Sequence, residues 1–136
     1  MYYVYLFFNE NKNIIYIGKT KRAINVRMKE HFGPYGHLPK ECYIQTKTIE
    51  YYSLLTAIDM DLAEAYLIKK HNPKYNSKKE YISYSEKQYI ESKLINRQIY
   101  KGETKWQKSS EQKQRTILNQ ILLKLKNILK SLILIN

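Results

Sequence analysis

Gly18-Lys19-Thr20 is the triplet that closes a nucleotide-binding P-loop, so the first chemistry the sequence offers is a lysine aimed at a phosphate. The full cradle, G-x-x-x-x-G-K-[ST], fails because Asn13 stands where its opening Gly belongs. The context fails as well, since residues 13–17 read as a strand and not as the loop that follows one. No small-molecule nucleotide is expected. Gly18 at a strand end instead lets something approach the backbone closely. Lys19 projects a point charge beside Tyr16, and Arg27 on the following segment makes a one-sided cationic pocket. His31 follows Arg27 by one helical turn, on the same row. Glu64 is the remaining anomaly. On a helical wheel it falls inside an apolar arc of Ala57, Met60, Leu67 and Ile68, where a carboxylate must be paired or metal-bound.

These side chains need elements to hold them. "YYVYLFF" at 2–8 and "IIYIG" at 14–18 are aromatic and β-branched around the turn-like "NENKN", which predicts a hairpin. A loop over residues 9–12 would pair Phe8 with Asn13 and Tyr5 with Tyr16, placing two phenols on one face. Ile24, Met28 and Phe32 recur every four residues in a stretch without Gly or Pro, predicting a helix over 21–32 that "GPYG" ends. "CYIQTKTIEYY" at 42–52 reads as a third strand. Thr56 is a candidate N-cap for a helix over 57–71, which Pro73 stops. Ile58, Leu62 and Ala65 suggest a second apolar stripe on it. The expected fold is α+β: a small three-stranded antiparallel sheet flanked by helices, occupying residues 1–82.

The texture then becomes polar and charged. Residues 83–136 are read as a basic helical extension, in which Ile121, Leu125, Ile128, Leu132 and Ile135 alternate steps of four and three, the spacing of a coiled-coil seam. Lys124, Lys126 and Lys130 interrupt this run too often for a membrane span. A homodimer through this helix is one expectation.

The 136 residues suffice for one domain and an appendage, and 24 basic against 12 acidic residues favour a polyanionic partner, DNA before an anionic membrane. Eleven basic and seven acidic residues lie in 1–76, and thirteen and five lie beyond, so the extension carries the larger excess. Cys42 is the only cysteine, which excludes an internal disulfide, and "MYYVYLFFNENKN" lacks a signal-peptide pattern; a cytoplasmic protein is expected.

The hairpin "YVY…YIG", Arg27 nine residues after Gly18, His31 one turn on, Glu64 on a later helix and Asn76 in "NPKYN" resemble the GIY-YIG nuclease domain over about residues 2–78. The first motif reads Tyr3-Val4-Tyr5, so its Gly is absent and its Tyr kept, which places the expected departure in the packing behind the first strand. The resemblance implies hydrolysis of DNA phosphodiesters with a divalent cation, Mg²⁺ or Mn²⁺, leaving a 5′-phosphate and a 3′-hydroxyl. Glu64 would hold the metal, and Arg27 and Lys19 the phosphate. Tyr16 or Tyr5 would activate water, with Tyr16 favoured as the nearer to Lys19 in sequence; nearby positive charge would lower its pKa. His31 would orient the water or be an alternative base, and Asn76 would position the metal site or its own loop. Lys21, Arg22, His37, Arg97, Lys105 and Trp106 are further candidates for nucleic-acid contact. The alternative is a nucleic-acid-binding module on the same fold that has lost catalysis. Among cutting enzymes, a mobile-element, repair or restriction role is left open.

Overall fold

The structure is a computed structural model that describes residues 1–77, 82–102 and 105–133, with side chains in the last helix described at Gln112 and 115–129. Aromatic and aliphatic residues in unbroken runs, rather than alternating ones, mark strands covered on both faces. That is the case for β1 (Tyr2–Phe8), which pairs with β2 (Ile14–Thr20) on one side and β3 (Thr48–Leu54) on the other, both antiparallel. Around the sheet are α1 (Ile24–His31), α2 (Lys40–Gln45), α3 (Ala57–His71), α4 (Tyr84–Lys93) and α5 (Lys105–Ile133). The architecture is the expected mix of antiparallel sheet and helices, with four strands instead of three among the described residues. The fourth, β4 (Gln98–Ile99), extends the order to β2-β1-β3-β4. Two residues are too few to carry a periodic signal, and Tyr100 continues their pairing by donating its N–H to Ile49 O.

The third strand starts later than its β-propensity suggests. Residues 40–45 form α2, which buries Cys42 and Tyr43, because Pro39 supplies a helix-starting turn and the apolar side chains are needed on one helical face. Helix α1 also starts late. The Thr20 hydroxyl accepts the N–H of Arg22, a local turn that competes with helix, so Lys21 and Arg22 lie outside it.

The hairpin register differs from the expected one by two residues. Phe8 faces Ile14, and a bulge follows, so that Phe7 faces Tyr16 and Tyr5 faces Gly18. One step comes from the loop, where Asn9 pairs with Asn13 and Lys12 takes a left-handed φ of 60°; the other comes from the bulge. Either step alone would turn Tyr16 to the opposite face, and together they return it to the face of Tyr5. The ring centroids lie 6.2 Å apart.

Two cores result. On one face Val4, Leu6, Ile17 and Leu54 pack against Met60, Ala63 and Leu67 of α3, joined by Ile90 of α4. On the other Tyr5, Phe7 and Tyr16 pack against Met28, Phe32, Cys42 and Tyr43. Tyr3, where the Gly of the first motif is absent, lays its ring edge-on to Tyr51 at 5.9 Å, so the bulk is accommodated on the surface of the sheet. Helix α3 starts as expected, with the Thr56 hydroxyl accepting from Asp59 N at 3.0 Å, and ends at Asn72 in the left-handed region before buried Pro73. Of the expected second stripe, Leu62 packs against the core and Ala65 is half-buried, whereas Ile58 is 71% exposed. The neighbouring Asp59 accepts from the Tyr89 hydroxyl of α4.

Helix α5 spans the region where a helix is expected. Leu118, Ile121, Leu122 and Leu125 are about half exposed on it, whereas the side chain of Leu132 and all of Ile135 lie outside the described residues. No helix among the described residues is long and apolar enough to cross a membrane.

Ile90 is wholly buried between α4 and the sheet-facing core. Ile90→Ala should therefore cost about 2–5 kcal/mol in urea unfolding. A cost below about 0.5 kcal/mol would show that α4 is not docked there in solution.

Candidate active site

The bulged hairpin sets the first pair of functional groups. Tyr5 lies across from Gly18, and a Cβ built on Gly18 would sit 2.4 Å from the Tyr5 hydroxyl oxygen. What approaches Gly18 is thus the ring of Tyr5, not an incoming ligand. Helix α1 supplies the next groups. Arg27 Nε donates to the Tyr5 oxygen at 3.2 Å, and Tyr5 Oη lies 2.6 Å from Nε2 of His31. A guanidinium can only donate. Tyr5 therefore accepts from Arg27, while the direction of its bond to Nε2 follows the imidazole tautomer; the other ring nitrogen, Nδ1, is a buried atom without a hydrogen-bond partner. The chain of bonds runs Arg27 to Tyr5 to His31.

Burial governs the protonation states. His31 is pushed down to about 3, first by desolvation and then by the charges of Arg27 and His37, so it is neutral at pH 7. Tyr5 and Tyr16 are both pushed up by desolvation, which outweighs the lowering pull of Arg27. The expected depression of the tyrosine pKa is reversed. One reason is that Lys19 does not stand beside Tyr16. Strand side chains alternate, so residues 16 and 19 face opposite ways, and Lys19 lies on the α3 side.

There its ammonium lies 3.0 Å from Glu64 and 3.0 Å from Asp61, both on α3. Of the two possibilities for Glu64, paired or metal-bound, the pairing is realised. Its side chain is 13% exposed, and it still acts electrostatically on Tyr5 and Tyr16 through the narrow edge of the sheet. That edge is β2, the outermost strand. Asn76 fastens it. Its Nδ2 donates to Ile17 O at 2.7 Å while its Oδ1 accepts from Ile17 N at 2.8 Å, and Tyr75 N donates to Ile15 O. Asn76 thus fixes the strand between Tyr16 and Lys19.

Glu30 is the partner that sequence reasoning missed. It accepts from Arg27 at 3.2 Å and also pairs with Arg22. Its position three residues after Arg27 on a helix was the available signal. His37 is exposed in the loop after α1, with its ring 5.0 Å from that of His31. Lys21 is exposed on the turn before α1. Arg97 is not brought to this cluster: its Nε lies 2.7 Å from Glu50 and its guanidinium lies over Phe8. The side chains of Lys105 and Trp106 lie outside the described residues. A cavity of about 290 Å³ lined by Tyr66, Lys69, Lys70, Ile82, Lys87 and Glu91 contains none of the candidate groups.

Among the described residues no three His, Cys, Asp or Glu side chains converge as a metal cage. A single carboxylate with open positions still suits Mg²⁺ or Mn²⁺, hard cations that keep waters and take phosphate oxygens as ligands. Glu64 fits that role, since a cationic group already sits against its Oε2.

A twisted antiparallel sheet with a tyrosine pair on one face of its edge strand and an acid–lysine cluster on the other defines a small α+β catalytic domain. The GIY-YIG catalytic domain model matches residues 1–76, and the chain belongs to that family. It is 42% identical over 76 residues to UvrABC system protein C of Bdellovibrio bacteriovorus, and 35% over 77 residues to that of Pseudothermotoga lettingae. Each match covers 54% of this chain but only 12% and 14% of those relatives, so the chain corresponds to a small part of their length. Among solved structures, the GIY-YIG N-terminal endonuclease domain of UvrC from Thermotoga maritima bound to magnesium, its catalytic divalent cation, superposes with a TM-score of 0.50 at 32% identity, covering 56% of this chain and 83% of that one. A point mutant of the same domain gives 0.51 at 30%, with 57% and 83% covered.

Two outcomes follow from the geometry. Gly18→Ala should destabilise the domain by about 1–3 kcal/mol in urea unfolding, because the added methyl group collides with a packed ring. An unchanged midpoint would mean that Tyr5 moves aside freely. His31 should also make folding acid-sensitive. Its folded pKa lies below its ordinary value of about 6.5, so the unfolded chain binds a proton that the folded chain refuses. The stability present above pH 6.5 is then lost as pH falls towards 3. Between pH 7.5 and 5 the wild type should lose about 2 kcal/mol more than His31→Phe. Equal losses would place the imidazole in contact with water.

Proposed function

We propose that the chain is a divalent-metal-dependent DNA endonuclease that hydrolyses a phosphodiester to a 5′-phosphate and a 3′-hydroxyl. The observation that carries this reading is the Arg27–Tyr5–His31 chain on one face of the sheet, with the Glu64 carboxylate on the other within electrostatic reach of Tyr5 and Tyr16, inside the segment that matches the family model.

In this reading Glu64 holds Mg²⁺ or Mn²⁺. The cation, when bound, stabilises charge on the leaving oxygen. The Arg27 guanidinium meets the non-bridging oxygens, where its planar fork is well matched, and Lys19 adds a second positive charge. Tyr16, buried beside Tyr5, would take up the proton of the attacking water. Its own proton would move to Tyr5, and that of Tyr5 to Nε2 of His31 in the tautomer that carries its proton on Nδ1. An Arg27-bound phosphate favours this direction, since it offsets the positive charge that helps to hold His31 neutral. Asn76 keeps Tyr16 in place through Ile17. Lys21 and Arg22, exposed on the turn before α1, and His37 would contact neighbouring phosphates; Arg97, Lys105 and Trp106 would extend the footprint only through residues beyond the core. The expected extension over 83–136, whose α4 and β4 are joined to the core and the sheet, would select the target. Helix α5 carries an apolar row, Leu118, Ile121 and Leu125, suited to a second copy of the chain.

Incubation with plasmid DNA and Mg²⁺ or Mn²⁺ tests the reading. The wild type should nick or linearise the plasmid, chelation should stop it, and Tyr16→Phe, Arg27→Ala and Glu64→Gln should each slow cutting at least about 100-fold. Glu64→Gln should still bind DNA. Equal DNA binding by all versions with cutting by none would establish the second reading, a nucleic-acid-binding module without catalysis.

A further inference from the structure

The Lys19 ammonium touches two carboxylates that differ in setting. Asp61 and Glu64 are three residues apart, and so neighbours on one face of α3, each 3.0 Å from Nζ; the side chain of Glu64 is 13% exposed and that of Asp61 59%. An ammonium and a divalent cation compete for a carboxylate oxygen, because two positive charges within a few Å repel strongly in a partly dry site. Any cation arriving at Oε2 of Glu64 must therefore move Nζ. With Glu64 as its only partner, Lys19 would be expelled to solvent. Asp61 gives it an acceptor that it already touches, so a small rotation of a flexible side chain is enough.

Resting on the metal role proposed for Glu64, we infer that Asp61 is a positioning residue that retains the Lys19 ammonium at the edge of β2 when a divalent cation takes Glu64. Metal loading then becomes an exchange between two carboxylates on one helix. It leaves Lys19 beside the cation, where a second positive charge can meet the negative charge that builds up on the phosphoryl oxygens as water attacks.

The test is Mn²⁺ binding to the full chain without DNA, followed by electron paramagnetic resonance, in wild type, Asp61→Asn, Lys19→Met and the double variant. Asp61→Asn should weaken binding about fivefold when Lys19 is present, the upper range for an exposed ion pair. In the Lys19→Met background the same change should weaken it less than about twofold, and Lys19→Met alone should tighten binding. Equal losses in both backgrounds would reduce Asp61 to a general negative charge, and a larger loss without Lys19 would make it a metal ligand; either overturns the inference. Glu64→Gln is the separate check. If Mn²⁺ binds that variant as it binds wild type, the metal role of Glu64 fails and takes the inference with it. If Glu64→Gln loses the site while the Asp61 losses are equal, only the inference fails.

Discussion

Tyr5 can lie across the hairpin only because residue 18 has no side chain. From that one steric permission follow the position of its hydroxyl, the bond it shares with His31 and the bond it accepts from Arg27. A wholly buried phenol in the middle of a sheet would otherwise leave a polar group unsatisfied, at a cost of about 1–3 kcal/mol. Helix α1 supplies both partners, so its docking and the chemistry of the site are one requirement. The bulge belongs to the same constraint, since it sets Gly18 rather than Ile17 opposite Tyr5.

Much of this was legible in the residues. The helix over 57–71, with Thr56 as its cap, follows from local hydrogen bonding that a sequence states directly. So does the row that puts Arg27 and His31 on one side of α1. The less legible parts depended on contacts between distant segments. Cys42 and Tyr43 have the composition of a strand, yet the packing of the tyrosine face draws them into a helix. The register of the hairpin needed two compensating irregularities, and neither Lys12 nor the bulge announces itself by type. The placement of Lys19 was an error of alternation: proximity in sequence to Tyr16 put it on the wrong face.

The electrostatic pattern explains why the two faces are kept apart. The tyrosine face is dry, which lifts both phenols and holds His31 neutral. The α3 face has its own buried core and carries the partly exposed, opposed charges of Lys19, Asp61 and Glu64. One strand thickness between them lets proton-handling groups remain neutral while charged groups stay within electrostatic reach. Glu30, shared by Arg22 and Arg27, neutralises the guanidinium that would otherwise face only neutral partners.

Asn76 has a consequence beyond holding Ile17. With one donor and one acceptor on a single side chain, its amide copies a peptide group and completes the ladder on the outer side of β2. An unfinished sheet edge is the surface that recruits strands from other molecules and seeds aggregates. The strand that carries Tyr16, Gly18 and Lys19 is capped at that point by a residue too short to be a strand itself. The edge is closed to a foreign polypeptide while the side chains on either face of it stay available to a different kind of polymer.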